Sequence, residues 1–536
     1  MIDSARRRSY VEVLVFLLAV LILLAGGRLA PLDEETPLQM TANLVERGQL
    51  TVASPPIDIV AQTFPGFLPR TAILNQATVW GGVTPDGRSY PLYTHAQAIL
   101  QIPLYLLGRL LGGPPDNPGS LIIIRWAVSL FNPIVVALTG WLLVLFGRAW
   151  GYSPRLSIAL GLLYSLGAMP LVYTHTLFSD PLLALLFTLA AYSSFRAGTD
   201  QSGRWLWQTG LALALALYVR ERSLIVLPAF GEYLWAVGRL RRPREWLALM
   251  IPIGAVTALL GGWNWLRFGS PLILGYADMV AGTGFGAPLI VGLFGLLISP
   301  GKGLLLYNPI VLLGFFGLIP LARQRRTEAR FIMAFGLISI GFYAAYNFWT
   351  GGWNWGPRYM LPLLPLLLLT AGYWVHVRPS TARRTWFVIL SVLTLLLNVP
   401  ALLVDHSRYL VEFGERDPAN YLNRAILRVE DSPLVRQWPT TLDLLQRSVQ
   451  PSTWAAARDS ALAIVHAEPS GTDFAAFSTQ MLKVDEFFRL NVPDFWFIHW
   501  LLLGGSPLRI GLLVAVLLGL MILSGRRMIQ LLWVTD

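Results

Sequence analysis

The chain alternates between long apolar stretches and short polar connections along most of its length. A helix needs about 20 apolar residues to cross the hydrocarbon core of a bilayer, and the pattern predicts about twelve such spans. The predicted bounds are 10–30, 121–146, 156–172, 181–196, 205–219, 222–238, 246–266, 304–321, 331–349, 359–377, 385–404 and 507–524. The pattern therefore predicts an all-α polytopic membrane protein.

Arginine clusters separate these apolar stretches, at 6–8, 148–155, 196–204, 239–244, 323–330, 378–384 and 526–527. With about twelve spans, every cluster falls on the same side of the membrane, as expected when basic loops stay in the cytoplasm. We expect a protein of the plasma (inner) membrane with both termini cytoplasmic. The first span carries no cleavage motif behind it and is expected to remain as an anchor.

The composition supports this class: 55% of the residues are hydrophobic and 13% are charged, and the mean hydropathy is +0.56. A soluble protein needs a larger polar fraction for its surface. The net charge of +11 does not indicate nucleic acid, because the basic residues lie in short clusters that set topology. The chain has no cysteine, which excludes disulfides, thiolate catalysis and cysteine-ligated metals.

Three predicted outer segments are long: 31–120, 267–303 and 405–506. The first contains the apolar stretch 96–111, which is short for a span and is predicted to be an interfacial or re-entrant helix. Residues 288–298 form a second such stretch. Residues 405–506 are the most polar part and are predicted to form a small helical outer domain or loops over the bundle.

This pattern predicts three regions. Residues 1–404 form a transmembrane module, 405–506 a polar outer region, and 507–536 the last span with a cytoplasmic tail.

An acidic triplet, Asp33-Glu34-Glu35, follows the first predicted span directly. A carboxylate at this depth is costly unless it has a partner or a function. One interpretation is that Asp33 is a catalytic base that acts on a lipid-borne substrate. The other is that it caps a following helix, because an Asp at this position accepts hydrogen bonds from free backbone N–H groups.

Several motifs share the predicted outer face with the triplet. They are Leu44–Gly48, Phe178–Pro181, Arg267–Pro271, Ser299–Gly303 and Gly351–Tyr359. Together, over about residues 1–400, they resemble the GT-C glycosyltransferases, integral membrane enzymes that take a sugar from a polyprenyl phosphate carrier. The best comparisons are the protein O-mannosyltransferases and the aminoarabinose transferase that modifies lipid A.

The resemblance implies a GT-C-type bundle with juxtamembrane helices in the first outer loop. It also implies inverting transfer of a sugar from a polyprenyl-phosphate-linked donor at the outer face. The Asp of the family's Asp-Glu pair maps onto Asp33, with Glu34 beside it, and Asp180 opens the fourth span at the same face. In the aminoarabinose transferase a basic residue soon follows the pair, whereas Glu35, Thr36 and Pro37 follow here.

Such a donor needs cations for its phosphate. Arg358 and Lys302 are the first candidates, because each follows glycines that permit a close backbone approach. Arg220 and Arg222 come next, in the tight outer turn between the fifth and sixth spans. Other basic residues at this face are Arg70, Arg88 and Arg267. Each of them alternatively snorkels to the lipid headgroups.

Aromatic and histidine side chains at this face are candidates for substrate binding. The tripeptide Tyr-Thr-His occurs twice, ending at His95 and at His175, and the first copy begins at Tyr93. Trp353 and Tyr359 lie in the connection before the tenth span, where tryptophan also forms interfacial belts. The histidines are expected to bind substrate hydroxyls. No cofactor is required, and a divalent metal at the histidines with Asp33 or Asp180 remains open.

Two other functions remain open at this point. Charges and repeated segments in a membrane protein also fit a transporter or flippase of lipid-linked glycans or small molecules. A non-catalytic scaffold for envelope assembly is the third possibility. The carboxylates cluster in outer loops rather than near the middle of the membrane, which favours the enzyme.

Overall fold

Helices form almost all of the regular structure of this chain. The computed structural model of the protein describes residues 10–29, 34–52, 81–83, 89–91, 93–200, 202–274, 284–467 and 474–533. Within these residues the strands are β1 (Gly81–Val83) and β2 (Ser89–Pro91), which pair antiparallel with Gly82 opposite Tyr90. The predicted all-α fold class is confirmed.

The first part of the chain contains the helices that precede the fourth predicted span. They are α1 (Val11–Leu23), α2 (Glu35–Arg47), α3 (Ala96–Gly112), α4 (Pro118–Ser129), α5 (Phe131–Ala149) and α6 (Pro154–Leu162). A π-helical segment, Leu163–Gly167, and a 3-10 helix, Met169–His175, follow α6. The apolar stretch at 96–111 is thus a helix, as predicted, and its Leu110 is largely exposed.

The middle of the chain forms the next group of helices. They are α7 (Asp180–Asp200), α8 (Gly203–Val219), α9 (Leu227–Ala236), α10 (Pro243–Phe268), α11 (Leu289–Ile298), α12 (Leu304–Tyr307), α13 (Val311–Gln324), α14 (Arg326–Ala345) and α15 (Leu364–Val377). Two 3-10 helices, Glu221–Val226 and Arg358–Leu363, lead into α9 and α15.

The C-terminal part is also helical. It contains α16 (Thr381–Leu403), α17 (Ser407–Arg416), α18 (Tyr421–Leu427), α19 (Pro433–Arg447), α20 (Pro451–His466), α21 (Phe474–Asn491), α22 (Trp496–Leu502) and α23 (Pro507–Trp533). Within its described residues, the region 405–506 is therefore a set of helices rather than draped loops.

Seven helical stretches in the described residues are long and apolar enough to cross a membrane. An eighth is added if the pair Pro154–Gly167 and Met169–His175, bent by 47°, forms one span. The protein is a multi-pass membrane protein, but the count of twelve spans is not confirmed. Four expected spans contain shorter helices: α1 has 13 residues, α8 has 17, α9 has 10 and α13 has 14. A 3-10 helix precedes α9, which has a proline in its own first turn.

The helices differ in how much of their apolar surface is buried. Arg358–Val377 lies mostly inside the bundle, whereas Pro507–Gln530 is almost entirely exposed. An apolar helix without a polar face is stable when it is buried or surrounded by lipid, so the second helix fits a lipid environment. Inside the bundle, α13 and α15 pack closely at Gly317, where a Cβ would lie 1.9 Å from the Thr370 carbonyl oxygen. Small residues permit such contacts between membrane helices.

Candidate functional site

A cavity opens where the first outer segment meets the start of α7, the turn after α8 and the connection before α15. The first outer segment contributes Pro37 of α2 together with residues around the start of α3. The other elements contribute polar and basic side chains. The lining residues are Pro37, Tyr93, Thr94, Gln97, Leu177, Phe178, Ser179, Val219, Arg220, Glu221, Arg222, Leu274, Arg358 and Tyr359.

The turn after α8 presents three consecutive charged residues to this cavity. Helix α8 ends at Val219, and Arg220 adopts an extended conformation before the 3-10 helix begins at Glu221. The Thr94 hydroxyl donates to the Val219 carbonyl at 3.0 Å. This bond satisfies a carbonyl that the end of a helix leaves without a partner, and it joins the first outer segment to the turn.

Arg220 pairs with the first residue of α7. Its Nη1 donates to Asp180 Oδ1 at 2.8 Å, and its Nη2 donates to the Ser179 hydroxyl at 2.9 Å. Burial disfavours the charged form of Arg220, but Asp180 more than offsets this, and the pKa of Arg220 is raised. Arg220 is therefore a charged group whose position is fixed by a buried carboxylate.

Arg222 contacts an uncharged partner instead. Its Nη2 donates to the Tyr346 hydroxyl at 2.6 Å, and its guanidinium lies 4.1 Å from the centre of that ring. Cation–π contact of this kind holds the guanidinium without cancelling its charge. Among the described residues, no carboxylate forms an ion pair with Arg222, so its charge is available to an anion in the cavity.

Arg358 and Tyr359 begin a 3-10 helix and also line the cavity, with the guanidinium of Arg220 6.0 Å from the ring centre of Tyr359. The guanidinium of Arg358 lies 4.5 Å from the ring centre of Phe178, and Tyr359 stacks on Tyr343 with centroids 4.3 Å apart. Gly351 has a φ of 71°, and a Cβ at this glycine would lie 2.9 Å from Arg358 Nε. The glycine before this arginine thus leaves the space that its side chain occupies.

His95 lies beside the cavity, although Tyr93 and Thr94 line it. Its ring hydrogen-bonds to the Tyr218 hydroxyl and packs edge-on against Trp263 at 4.6 Å. Burial lowers the pKa of His95 to about 4, with a smaller contribution from the charge of Arg267. The imidazole is therefore neutral near pH 7 and holds the segment that carries Tyr93.

Lys302 occupies a different place from the one its sequence motif suggested. Its Nζ donates to the Gly352 carbonyl at 2.9 Å, the Asn354 carbonyl at 2.7 Å and Asn354 Oδ1 at 2.6 Å. Burial, followed by the charge of Arg358, lowers its pKa. Lys302 is not among the lining residues, and its three bonds stabilise the glycine-rich connection before Arg358.

Two further candidates contact the C-terminal helices. Trp353 Nε1 donates to the Tyr421 hydroxyl at 3.1 Å. The His175 ring lies 2.9 Å from Asp494 Oδ2 through Nδ1 and 2.6 Å from the Leu24 carbonyl through Nε2. Within the described part of the chain, no three His, Cys, Asp or Glu side chains are grouped so that they could hold a metal ion.

The acidic triplet is described in part. Asp33 lies outside the described residues. Glu34 is buried at the residue before α2, and Glu35 pairs with Arg125 at 2.5 Å. Pro37, two residues further on, lines the cavity, so the start of α2 lies at the site.

Sequence reasoning missed one charged lining residue, Glu221. It stands between Arg220 and Arg222, the two arginines selected from the same turn. An acidic residue directly between two candidate phosphate ligands was the available signal. The structure brings together Tyr93, Arg220, Arg222, Arg358 and Tyr359 of the sequence candidates, with Asp180 behind Arg220.

Comparison with known proteins finds one family model that matches part of the chain and several distant structural likenesses. The dolichyl-phosphate-mannose-protein mannosyltransferase family matches residues 124–262. The chain is similar to ArnT from Cupriavidus metallidurans in the apo state, with 14% identity over 94% of this chain and 78% of that chain and a TM-score of 0.48. It is similarly related to ArnT from Cupriavidus metallidurans bound to undecaprenyl phosphate, with 14% identity over 92% of this chain and 77% of that chain and a TM-score of 0.47.

A third solved structure, the Archaeoglobus fulgidus oligosaccharyltransferase in the apo form, shares 13% identity over 88% of this chain and 60% of that chain, with a TM-score of 0.40. At these scores the likeness assigns no activity. No curated protein matches the chain. The family match confirms the resemblance to GT-C glycosyltransferases, and residues 124–262 include Ser179, Asp180, Arg220 and Arg222 of the site.

Proposed function

We propose that this protein is a glycosyltransferase that moves a sugar from a polyprenyl-phosphate-linked donor to an acceptor at the outer face of the plasma membrane. The observation that carries the proposal is the cavity with Arg220, Arg222 and Arg358 in its lining. The charge of Arg222 has no described carboxylate partner, and the matching mannosyltransferase family includes this turn. Its name contains dolichyl phosphate, which is itself a polyprenyl phosphate.

Arg222 and Arg358 hold the donor phosphate in this proposal. A guanidinium binds phosphate oxygens through paired N–H donors. As the bond from the anomeric carbon to the phosphate oxygen breaks, that oxygen keeps the electron pair, and the cations stabilise the charge. Arg220, held by Asp180, adds positive potential and keeps the turn in place.

Asp33 takes the proton from the attacking acceptor hydroxyl or amine. The acceptor bonds to the anomeric carbon as the phosphate leaves from the opposite side, so the configuration inverts. The assignment is supported by Pro37, which lies on the cavity four residues after Asp33 in sequence. No cofactor is needed for this displacement, because the leaving phosphate is stabilised by arginines of the chain.

The outer location is supported by the arginine clusters that favour a cytoplasmic position for the loops around 240 and 325. Accessibility labelling of single cysteines, introduced into a chain that has none, tests this orientation. Positions 325 and 450 are expected to react from opposite sides, with 450 outside. Labelling of position 450 from the cytoplasm would contradict it.

The activity is tested in proteoliposomes with undecaprenyl phosphate carrying a radiolabelled hexose or aminopentose, and with cell-envelope extract as the acceptor source. We expect label to leave the lipid with release of undecaprenyl phosphate, and Arg330→Gln, an exposed surface change, to behave as wild type. A transporter would move the intact glycolipid across the membrane. A scaffold would leave the lipid intact and in place, and either result overturns the proposal.

A further inference from the structure

Glu221 is a cavity carboxylate for which the binding of a phosphate gives no role. It is partly buried at the first position of the 3-10 helix Glu221–Val226. Within the described residues, no other side chain hydrogen-bonds or forms an ion pair with its carboxylate. Burial raises the pKa of Glu221, whereas a hydrogen bond from its own backbone N–H and the charges of Arg267, Arg220 and Arg222 favour the ionised form.

The neighbouring arginines explain why this carboxylate is tolerated but not what it binds. Arg220 directs its donors to Asp180 and Ser179, and Arg222 directs a donor to Tyr346. A guanidinium next to an accessible carboxylate in a cavity would normally form a short paired contact with it. Here the two arginines on either side turn to other partners, and Glu221 remains open to the cavity.

The chemistry of a carboxylate limits its ligand. An ionised carboxylate only accepts hydrogen bonds and repels a phosphate of the same sign. A sugar bound directly to a phosphate presents hydroxyl or amino donors a few atoms away from it. A cavity with arginines for the phosphate and one open carboxylate beside them therefore matches both parts of such a ligand.

We propose that Glu221 is a specificity-determining residue that accepts hydrogen bonds from the hydroxyl or amino groups of the donor sugar. This inference rests on the proposed function, because it requires a sugar-bearing lipid in the cavity. Arg222 and Arg358 bind the phosphate of either lipid. Glu221 makes the site bind the sugar-bearing lipid more tightly than the sugar-free lipid that remains after transfer. The residue thus favours loading of the substrate over retention of the product.

The test compares two probes on the same variants in detergent or nanodiscs. One probe is undecaprenyl phosphate, and the other is undecaprenyl phosphate carrying the sugar that the wild type transfers. Glu221→Gln keeps the size of the side chain and removes its charge. We expect it to weaken binding of the sugar-bearing lipid roughly 10- to 100-fold. Binding of the sugar-free lipid should stay unchanged or become tighter, because the negative charge beside the phosphate is gone.

Two further variants make the result specific. Glu221→Asp keeps the charge and is expected to recover part of the discrimination between the probes. Glu232→Gln removes an exposed carboxylate that pairs with Arg330 and is expected to bind both probes as wild type does. The sugar-free probe also reports whether each variant is folded.

The outcomes separate this inference from the proposed function. If the wild type binds neither probe and transfers no sugar, both proposals fall. If the wild type is active and Glu221→Gln weakens both probes equally, Glu221 only maintains the turn and the specificity role is wrong. Weaker binding of the sugar-bearing probe, with unchanged or tighter binding of the sugar-free probe, supports the specificity role. If wild type and variant bind each probe equally well, that role is excluded.

Discussion

The buried arginines Arg28 and Arg125 differ in their partners from Arg222, which lines the cavity. Arg28 contacts Asp494 at 2.5 Å and Asp405 at 2.6 Å, and Arg125 contacts two carboxylates in the same way. Both are almost completely buried. Arg222 lines a cavity and contacts a tyrosine. Arg28 and Arg125, the neutralised set, pair with carboxylates of the fold, whereas Arg222, the open arginine, pairs with no carboxylate among the described residues.

The largest expected effect concerns the reaction that the cavity serves. Asp33→Asn removes the proposed base and keeps the shape of the side chain. Since general-base catalysis contributes about 10²–10⁴-fold, sugar transfer should fall by that amount. Glu34→Gln should cost less if Glu34 only positions Asp33. The measurement is transfer from the radiolabelled donor, with binding of undecaprenyl phosphate as the control for folding.

Wild-type turnover in Asp33→Asn would falsify the assignment of the base. Glu34 and Asp180 would then be the next residues to test. Glu35 is a weaker candidate for the base, because its carboxylate already pairs with Arg125 and accepts a hydrogen bond from the Ser478 hydroxyl.

The second prediction concerns the neutralised set. Arg28→Met leaves Asp494 and Asp405 buried without their cation, and breaking a buried pair in this way costs about 3–5 kcal/mol. We expect a marked fall in the thermal unfolding midpoint measured in detergent. The matched control is Arg527→Met, which removes an exposed pair with Glu12 and should cost about 0–1 kcal/mol. Equal stability of the two variants would contradict the division into two sets.

The sequence predicts the apolar helices and the outer motifs but not this division. Apolar length and arginine clusters are local signals, and they located the helices at 96–112 and 289–298 correctly. The partner of an arginine is not a local property: Arg28 meets Asp494 across 466 positions. No local pattern predicts that Asn354 and backbone carbonyls accept hydrogen bonds from Lys302, or that Arg222 pairs with no carboxylate among the described residues.

The count of twelve spans is not confirmed by the helices of the described residues, for a related reason. The length of an apolar stretch does not show where a helix within it is interrupted. The chain at 222–238 is apolar enough to suggest one span, yet it forms a 3-10 helix followed by the ten-residue α9. The first helix ends at Leu23, and four residues later the chain turns at Gly27, whose φ is 72°. A Cβ there would lie 2.3 Å from Trp496 Cβ, a contact that comes from the far end of the sequence.

The third prediction tests Arg222, the arginine that has no described carboxylate partner. Arg222→Gln keeps a donor for Tyr346 and removes the charge, so the turn should stay folded. Loss of one charge-assisted bond to phosphate is expected to weaken binding of undecaprenyl phosphate by about 1.5–3 kcal/mol. Arg222→Lys should recover part of this, because lysine supplies the charge without the paired geometry. A lower unfolding midpoint with unchanged lipid binding would instead place Arg222 with Arg28 and Arg125.

The smallest expected effect is a pH dependence of stability that arises from His406, which lies near the neutralised arginine Arg28. His406 is buried beside Asp405, Lys302, Arg489 and Arg28, and burial lowers its pKa to about 4. Its ordinary value is about 6.5, so between these values the unfolded chain binds a proton that the folded chain does not. Stability is therefore complete above pH 6.5 and falls as the pH decreases toward 4.

At pH 5.5, proton binding by His406 in the unfolded chain lowers the free energy of unfolding by about 1 kcal/mol, since one pKa unit corresponds to about 1.4 kcal/mol. Unfolding midpoints measured in detergent at pH 7.5 and 5.5 should differ in the wild type, and the difference should be smaller in His406→Asn. His499→Asn is the parallel variant, because burial lowers the pKa of His499 to about 3. Binding of undecaprenyl phosphate at pH 5.5, normalised to folded protein, should be unaffected by His406→Asn. The reason is that His406 is not among the residues that line the cavity.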